Sequence, residues 1–372
     1  MLKKFTVTNF KNFKDTITFA LDCPANYEFN SEVIRNGCVT KGIIYGINGS
    51  GKSNLALAIF DIVLHLTDKE KSFDRYNYYL NLNSKKPTAE FEYCFQFEDS
   101  EVLYRYGKTD PVTLTYENLL INGKEVLSYD FFQRKGYTNL TGAENLQLSS
   151  ELMTEADRLS RVKYLKSNAI LQDDANNRAF VSFMKFVDNM LMFYSLTENR
   201  YQGFSVGIDS YTQGIVREGK TKNFEDFLRK QGVDYELIEM ELNNGIKELF
   251  CMFSKGPVPF SVVASTGTKS LALFYYWFLK MNKASFVFVD EYDAFYHFEL
   301  SQELVKLIKP LSDTQIILST HNTDLISNDL LRPDAYFLLK DDSIKSFDQI
   351  SSKELRRAHN IQKMYKAGTF DE

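Results

Sequence analysis

The sequence predicts an α/β fold with a mixed sheet, an N-terminal antiparallel β region and an inserted helical subdomain. A glycine-rich turn joins a buried strand to a helix within residues 42–60. Apolar and polar residues alternate over residues 2–20 and 88–126, as in strands with one buried face. Strand and helix patterns alternate again after Pro257. We therefore expect an N-terminal lobe (1–126), a helical insertion (127–250) and a C-terminal lobe (251–372).

The amino-acid composition indicates a globular protein. Its 372 residues, 44% of them hydrophobic, are enough for a large core. The net charge of −5 gives no overall positive field that would attract nucleic acid. The four cysteines have neither zinc-ligand nor disulfide-framework spacing. Since no stretch approaches about eighteen apolar residues and no signal peptide is recognisable, we expect a cytoplasmic protein without membrane contact.

The turn within "GIIYGINGSGKSNLALAIF" has the residues of a phosphate-binding loop. Its glycines permit close backbone approaches, so that successive N–H groups can point at an anion. In this P-loop spacing the lysine reaches the β- and γ-phosphates, the serine ligates Mg²⁺, and the amphipathic helix that follows offers its positive end. We therefore predict ATP and Mg²⁺ as cofactors. The predicted nucleotide contacts in the loop are Gly46, Asn48, Gly49, Gly51, Lys52, Ser53 and Asn54.

An acidic pair follows a second buried strand. The segment "SFVFVDE" ends in Asp290 and Glu291, and open α/β sheets bind ligands at the carboxyl ends of their strands. Asp290 suits the Mg²⁺ shell opposite Ser53, which is itself a predicted metal ligand. Glu291 suits a base or a positioner of the attacking water. The alternative, a solvated strand end, is disfavoured by the preceding P-loop.

Polar residues also occur at the end of a third buried strand and at the start of a later helix. The strand "TQIILSTH" ends at His321, whose imidazole could contact the γ-phosphate or orient the water. A purely structural histidine is the alternative. In "STGTKS", Ser265 is a good N-cap for an apolar helix predicted over about 267–282. Capping alone would explain this residue, but a helix N-terminus rich in small residues can also bind an anion held by a second subunit.

The middle of the chain gives fewer signals. Segments such as "SELMTEADRLSRVKYLKSN" carry apolar residues at helical spacing and predict the insertion. A basic stripe there could contact nucleic acid, although charge runs on helices are usually solvated faces. Its members are Arg158, Arg161, Lys163 and Lys166.

These motifs, in this order, resemble the ABC-type ATPases of the SMC and RecF-like branch. "GINGSGKS" looks like a Walker A loop, "FVFVDE" a Walker B strand, "STGTKS" a divergent signature and "STH" a switch histidine. The resemblance implies an SMC-head fold and two ATP molecules sandwiched between two heads, with Ser265 and Gly267 acting on the partner's nucleotide. It also makes Gln96 the candidate Q-loop ligand of the metal and places Asp293 where a D-loop would contact the partner.

A closer resemblance is to AAA-type ATPases of prokaryotic abortive-infection and anti-phage systems, relatives of the overcoming-lysogenisation nucleases and of the Septu and PARIS ATPase subunits. It rests on "MLKKFTVTNFKNFKD", "DEYDAFYH", "STHNTDLISNDLLRPDAYFLLKDD" and "LRRAHNIQKMYKAGTF", and includes His297. This resemblance implies a nucleotide-driven switch that forms a homo-oligomer and controls a separate effector such as a nuclease or toxin. We expect a separate effector because no H-N-H or Cys/His nuclease cluster appears and only about fifty residues follow His321.

Two other functions stay open from the sequence. One is a RecF-like DNA repair or recombination ATPase, whose DNA affinity would fall steeply with salt. The other is a nucleotide-binding scaffold that does not hydrolyse ATP, which the intact Asp290–Glu291 pair disfavours.

Overall fold

A computed structural model describes residues 1–22, 24–69, 74–146, 148, 159–194, 201–202, 210–242, 244–294, 298–351 and 354–370. The strands are β1 (Leu2–Thr8), β2 (Ile17–Ala20), β3 (Ile34–Arg35), β4 (Cys38–Val39), β5 (Lys41–Tyr45), β6 (Ala89–Phe97), β7 (Ser100–Lys108), β8 (Leu114–Ile121), β9 (Lys124–Asp130), β10 (Lys135–Thr138), β11 (Met190–Tyr194), β12 (Tyr201–Gln202), β13 (Leu237–Glu241), β14 (Lys247–Phe253), β15 (Gly256–Pro259), β16 (Phe286–Asp290), β17 (Gln315–Thr320), β18 (Tyr336–Lys340) and β19 (Ser343–Ser346). The helices are α1 (Lys52–Leu66), α2 (Arg161–Asn168), α3 (Ala175–Asp188), α4 (Tyr211–Arg217), α5 (Thr221–Lys230), α6 (Phe260–Val263), α7 (Thr266–Met281), α8 (Phe298–Ile308), α9 (Phe347–Ile350) and α10 (Ile361–Lys366). Within the described ranges, every helix is too short or too polar to cross a bilayer.

The N-terminal sheet is antiparallel, as the alternating pattern predicts. Its strand order is β10-β9-β8-β7-β6-β1-β2. In β1, Phe5 and Val7 are buried and Thr6 between them is partly exposed, because successive side chains of a strand point to opposite faces. The predicted hairpin over residues 2–20 is the β1–β2 pair. The antiparallel β region is therefore confirmed.

The central sheet carries the strands that the P-loop and acidic motifs predict. Its order is β12-β11-β16-β17-β5-β18-β19, and β11, β16, β17, β5 and β18 run parallel to one another. Because β5, β17 and β16 are neighbours, their carboxyl ends meet at one edge of the sheet. These are the ends at which the P-loop, His321 and the acidic pair stand.

Helix α1, which follows the P-loop, is buried on nearly all sides. We predicted an amphipathic helix, but Leu57 and Ile59, which point to nearly opposite sides of the helix, are both buried. The helix packs between the two large sheets, so that it has no solvent-facing stripe. Its one acid, Asp61, is fully buried and pairs with Lys108 at 2.7 Å. Tyr106 donates a 2.9 Å hydrogen bond to the same carboxylate.

The segment 127–250 is less helical than we predicted. It contains α2 to α5, but it also supplies β11 to the central sheet, in parallel register with β16. The run Met190–Phe193 is fully buried, as expected for a parallel strand covered on both faces. Short apolar runs of this kind cannot be distinguished from buried helix by periodicity alone. The boundaries at 126 and 250 stay a prediction.

Candidate nucleotide-binding site

A pocket of about 320 Å³ lies where the carboxyl ends of β5, β16 and β17 meet. Residues from three separate parts of the sequence contribute to it. Its lining consists of Asn48, Gly49, Gly51, Lys52, Ser53, Asn54, Glu291 and His321. The structure thus brings most of the predicted site residues together.

The glycines of the loop are required by its backbone path. Gly49 and Gly51 have φ values of 82° and 102°, in the left-handed region that other residues rarely adopt. A Cβ on Gly46 would clash with the Ser50 hydroxyl and would lie 2.8 Å from the carbonyl oxygen of Leu339. Since α1 begins directly after Gly51, the loop presents the helix N-terminus to the pocket.

Lys52 is held over the loop. Its Nζ donates hydrogen bonds to the carbonyl oxygens of Gly46 (2.7 Å) and Ile47 (3.2 Å). Burial lowers the pKa of Lys52, and the negative charges of Glu291 and Asp290 oppose that shift. The ammonium group therefore lies in the pocket, where it can exchange carbonyl partners for phosphate oxygens.

Asp290 connects the two halves of the site. It accepts hydrogen bonds from the Ser53 hydroxyl at 2.6 Å and from the Ser319 hydroxyl at 2.5 Å. A carboxylate and a hydroxyl on adjacent elements are oxygen ligands of the kind that Mg²⁺ prefers. With Lys52 and the exposed loop N–H groups, this donor set fits a nucleotide phosphate and its metal.

Glu291 has a strained backbone. Its φ is 47°, which is unusual for a residue other than glycine and costs about 1 kcal/mol or more. The Ser319 hydroxyl accepts a 2.9 Å hydrogen bond from the Glu291 N–H, and the Ser319 carbonyl accepts one from Tyr292. These bonds hold the backbone of Glu291 in place at the pocket that the residue lines.

His321 is exposed at the pocket, and Asp293 is buried behind it. Asp293 Oδ1 has no hydrogen-bond partner among the described residues. Burial raises the pKa of Asp293, while hydrogen bonds from Thr320 and Asn322 and the charge of His321 oppose the shift. The predicted contact of Asp293 with a partner subunit stays a prediction. His297 lies outside the described residues.

Ser265 and Gly267 lie at the N-terminus of α7 and do not line the pocket. The Ser265 hydroxyl accepts a 3.2 Å hydrogen bond from the Thr268 N–H, as an N-cap does. Ser265 is exposed and Gly267 is partly exposed, so both can be reached from outside the subunit. Their predicted action on a partner's nucleotide stays a prediction.

Gln96 does not belong to this site. It lies near the end of β6, and its N–H donates to the carbonyl of Met1. The P-loop is contacted from the other end of β1, by Asn12. Since β1 spans about 20 Å at 3.3 Å per residue, Gln96 is far from Ser53 and Asp290. The Q-loop assignment of Gln96 as a metal ligand is therefore wrong, because strand composition does not reveal which end of a strand faces the site.

The structure adds two residues to the site. Asn12 lies just beyond β1 and packs against the P-loop: a Cβ added to Gly51 would lie 2.5 Å from the Asn12 side chain. Asn12 also accepts a 2.7 Å hydrogen bond from Asn54. Ser319 bridges Asp290 and Glu291, as described above. The only sequence signal for Ser319 is its place near the end of the strand in "STH". No spacing in the sequence links Asn12 to the P-loop.

The basic stripe in the insertion is largely engaged within the chain. Arg161 is buried, and its guanidinium stacks 4.4 Å from the ring centroid of Tyr129. Lys163 pairs with Asp68 at 2.5 Å, and Lys166 pairs with Asp188. Arg158 lies outside the described residues. The described members of the stripe therefore do not support a nucleic-acid surface.

Comparison with known proteins places this site in a family. A family model described as "AAA domain, putative AbiEii toxin, Type IV TA system" matches residues 43–327, from the P-loop strand to beyond His321. The search of curated proteins found no match.

Solved SMC heads are similar to the chain. The SmcHead bound to the C-winged helix domain of ScpA has 17% identity and a TM-score of 0.50, over 94% of this chain and 98% of that one. The SMC head domain from Thermotoga maritima has 16% identity and a TM-score of 0.45, over 92% and 97%. A third has 14% identity and a TM-score of 0.47, over 94% and 97%: an Smc head with an extended coiled coil, bound to the C-terminal domain of ScpA derived from Pyrococcus furiosus. The likeness to the first of these structures shows that this chain has a P-loop fold of the ABC/SMC-head type.

Proposed function

The chain belongs to this AAA-domain family, and we propose that it is an ATP-hydrolysing switch that controls a separate effector protein in anti-phage defence. AAA and SMC-head ATPases use ATP and Mg²⁺. The observation that carries the proposal is the convergence of Lys52, Ser53 and Glu291 on one pocket, with Asp290 hydrogen-bonded to Ser53.

In the proposed reaction, the residues of the pocket divide the work. Lys52 and the loop N–H groups would bind the β- and γ-phosphates, and Ser53 and Asp290 would hold Mg²⁺. Glu291 accepts a proton from the attacking water or orients it, and His321 contacts the γ-phosphate. The strained backbone of Glu291 supports its role, because such outliers concentrate at functional sites.

The proposed switch needs two subunits. Ser265 and Gly267, at the exposed N-terminus of α7, would receive the γ-phosphate held by the partner's P-loop. Two heads would therefore close on ATP and separate after hydrolysis. The inserted segment 127–250 would hold or sense the effector, a nuclease or toxin encoded nearby.

The proposal is tested with the purified chain, alone and co-expressed with the products of the neighbouring reading frames. We expect Mg²⁺-dependent release of phosphate from ATP, no cleavage of nucleic acid by the chain alone, and a neighbour's product that is retained in one nucleotide state and released in the other. Nuclease activity of the isolated chain would overturn the switch function. Hydrolysis that is strongly stimulated by DNA, with steep salt dependence, would favour a DNA repair ATPase.

A further inference from the structure

The C-terminal segment, residues 354–370, contacts the turn that follows His321. Gln362 Nε2 and Lys366 Nζ, one turn apart on α10, both donate to Oδ1 of Asp324, at 2.5 Å and 3.0 Å. Asp324 lies three residues after His321. The segment lies beyond residues 43–327, the span that the family model matches, so its contacts are not part of the family assignment.

Local hydrogen bonds connect Asp324 back to the residues on both sides of His321. The Asp324 N–H donates to the side-chain oxygen of Asn322 at 3.0 Å, and the Asn322 N–H donates to the Thr320 hydroxyl at 2.9 Å. His321 stands between Thr320 and Asn322. A shift of Asp324 would therefore be transmitted to the backbone that carries the imidazole.

A buried amide fixes the rest of the segment to the same turn. Asn328 is only 6% exposed. Its Nδ2 lies within hydrogen-bond distance of the carbonyl oxygens of Arg356 (3.0 Å), Arg357 (3.2 Å) and His359 (3.1 Å). These contacts therefore hold the backbone that leads into α10 against the segment that follows His321.

An adjacent face of α10 packs on the strand that enters the P-loop. The ring of Tyr365 lies 6.3 Å from that of Tyr45, the last residue of β5 and the neighbour of Gly46. Phe370 stacks on Phe347 at 4.5 Å, and Tyr365 stacks on the same ring at 5.7 Å. The C-terminal segment therefore contacts the last residue of β5 and the turn that follows β17, and the carboxyl ends of these two strands lead into the pocket.

From these contacts we propose that Gln362 and Lys366 are positioning residues for His321, acting through Asp324. The inference rests on the proposed function in that it assigns His321 a role in hydrolysis. The two contacts with Asp324 are at the surface, where ion pairs contribute only about 0–1 kcal/mol to stability. Their role is to restrict the position of the turn, and the fold does not depend on them.

The test compares the double variant Gln362→Ala/Lys366→Ala with wild type. Lys363→Ala is the matched control, because Lys363 is exposed on the same helix and is not one of the two donors to Asp324. In the double variant we expect kcat for ATP to fall about three- to tenfold, less than the roughly 100-fold that a 1 Å misplacement can cost. The affinity for ATP and the Tm should stay unchanged. In a His321→Ala background, the same double substitution should have no further effect.

Hydrogen exchange provides a readout that does not depend on hydrolysis. We expect faster exchange at residues 320–327 in the double variant, and wild-type exchange in Lys363→Ala. Unchanged exchange there, or an equal loss of kcat with and without His321, would overturn the positioning role. If wild type does not hydrolyse ATP, the proposed function fails, and the exchange measurement still decides whether α10 restrains the turn.

Discussion

The hydroxyl of Ser53 donates a 2.6 Å hydrogen bond to Asp290, although 237 residues separate the two in the sequence. Asp290 also accepts from Ser319, so that one carboxylate joins the first turn of α1 to β16 and β17. The pair of oxygens proposed for Mg²⁺ is therefore already assembled in the folded chain. Preorganisation of this kind reduces the cost of ordering the site when a ligand binds.

Lys52→Ala should remove most of the affinity for ATP. Hydrogen bonds to a charged group contribute about 1.5–3 kcal/mol, so we expect Kd to rise about 10- to 100-fold. Titration of a fluorescent ATP analogue measures this, with Lys306→Ala on the exposed face of α8 as control. Unchanged affinity in Lys52→Ala would disprove the assignment of the loop.

Glu291→Gln should bind ATP and fail to turn it over. General-base or water-positioning groups contribute about 10²- to 10⁴-fold, and we expect kcat to fall within that range while Kd stays near the wild-type value. Phosphate release measures kcat, and Glu299→Gln on α8 should behave as wild type. Hydrolysis at the wild-type rate in Glu291→Gln would contradict the role of Glu291, whereas no hydrolysis by either protein would favour the nucleotide-binding scaffold.

Asp290→Asn should abolish the contribution of Mg²⁺ to ATP binding. The amide keeps the shape of the side chain but removes the charge that attracts a hard cation. We expect the affinity of the variant to be the same in Mg²⁺ and in EDTA, whereas wild type binds more tightly in Mg²⁺. Asp313→Asn, in an exposed ion pair with Arg35, is the control. If Asp290→Asn retains the full Mg²⁺ effect, the metal is held by other groups.

Lys108→Met should destabilise the fold strongly. Lys108 and Asp61 form an ion pair with both side chains fully buried, and burial lowers the pKa of Lys108, while the charge of Asp61 opposes the shift. Removing one partner leaves a buried charge, at a cost of about 3–5 kcal/mol. Urea denaturation measures the loss. Lys3→Met breaks an ion pair with the exposed Glu101 and should cost at most about 1 kcal/mol; equal losses for the two variants would contradict the account.

Local patterns were enough to locate the P-loop and the acidic pair. Both depend on contiguous residues between a buried strand and the next element, so the sequence contains the whole signal. The prediction that Gln96 is a metal ligand is wrong because the position of Gln96 depends on the register of β6 against β1, which composition does not encode. The sequence does not reveal strand β11 within the predicted helical segment, because its apolar run is too short to show a period.

Contacts between distant segments cannot be predicted from local patterns in the sequence. Asn12 approaches Gly51, and Gln362 approaches Asp324, through the packing of the whole fold. The roles assigned to Glu291, His321, Ser265 and Gly267 stay predictions.

In the proposed switch, ATP closes two heads on each other. Light scattering of Glu291→Gln, which should retain ATP, measures the mass directly in Mg-ATP and in ADP. We expect a dimer or larger assembly in Mg-ATP and a smaller species in ADP, with Lys52→Ala unresponsive to either nucleotide. The same mass in both nucleotides would contradict it.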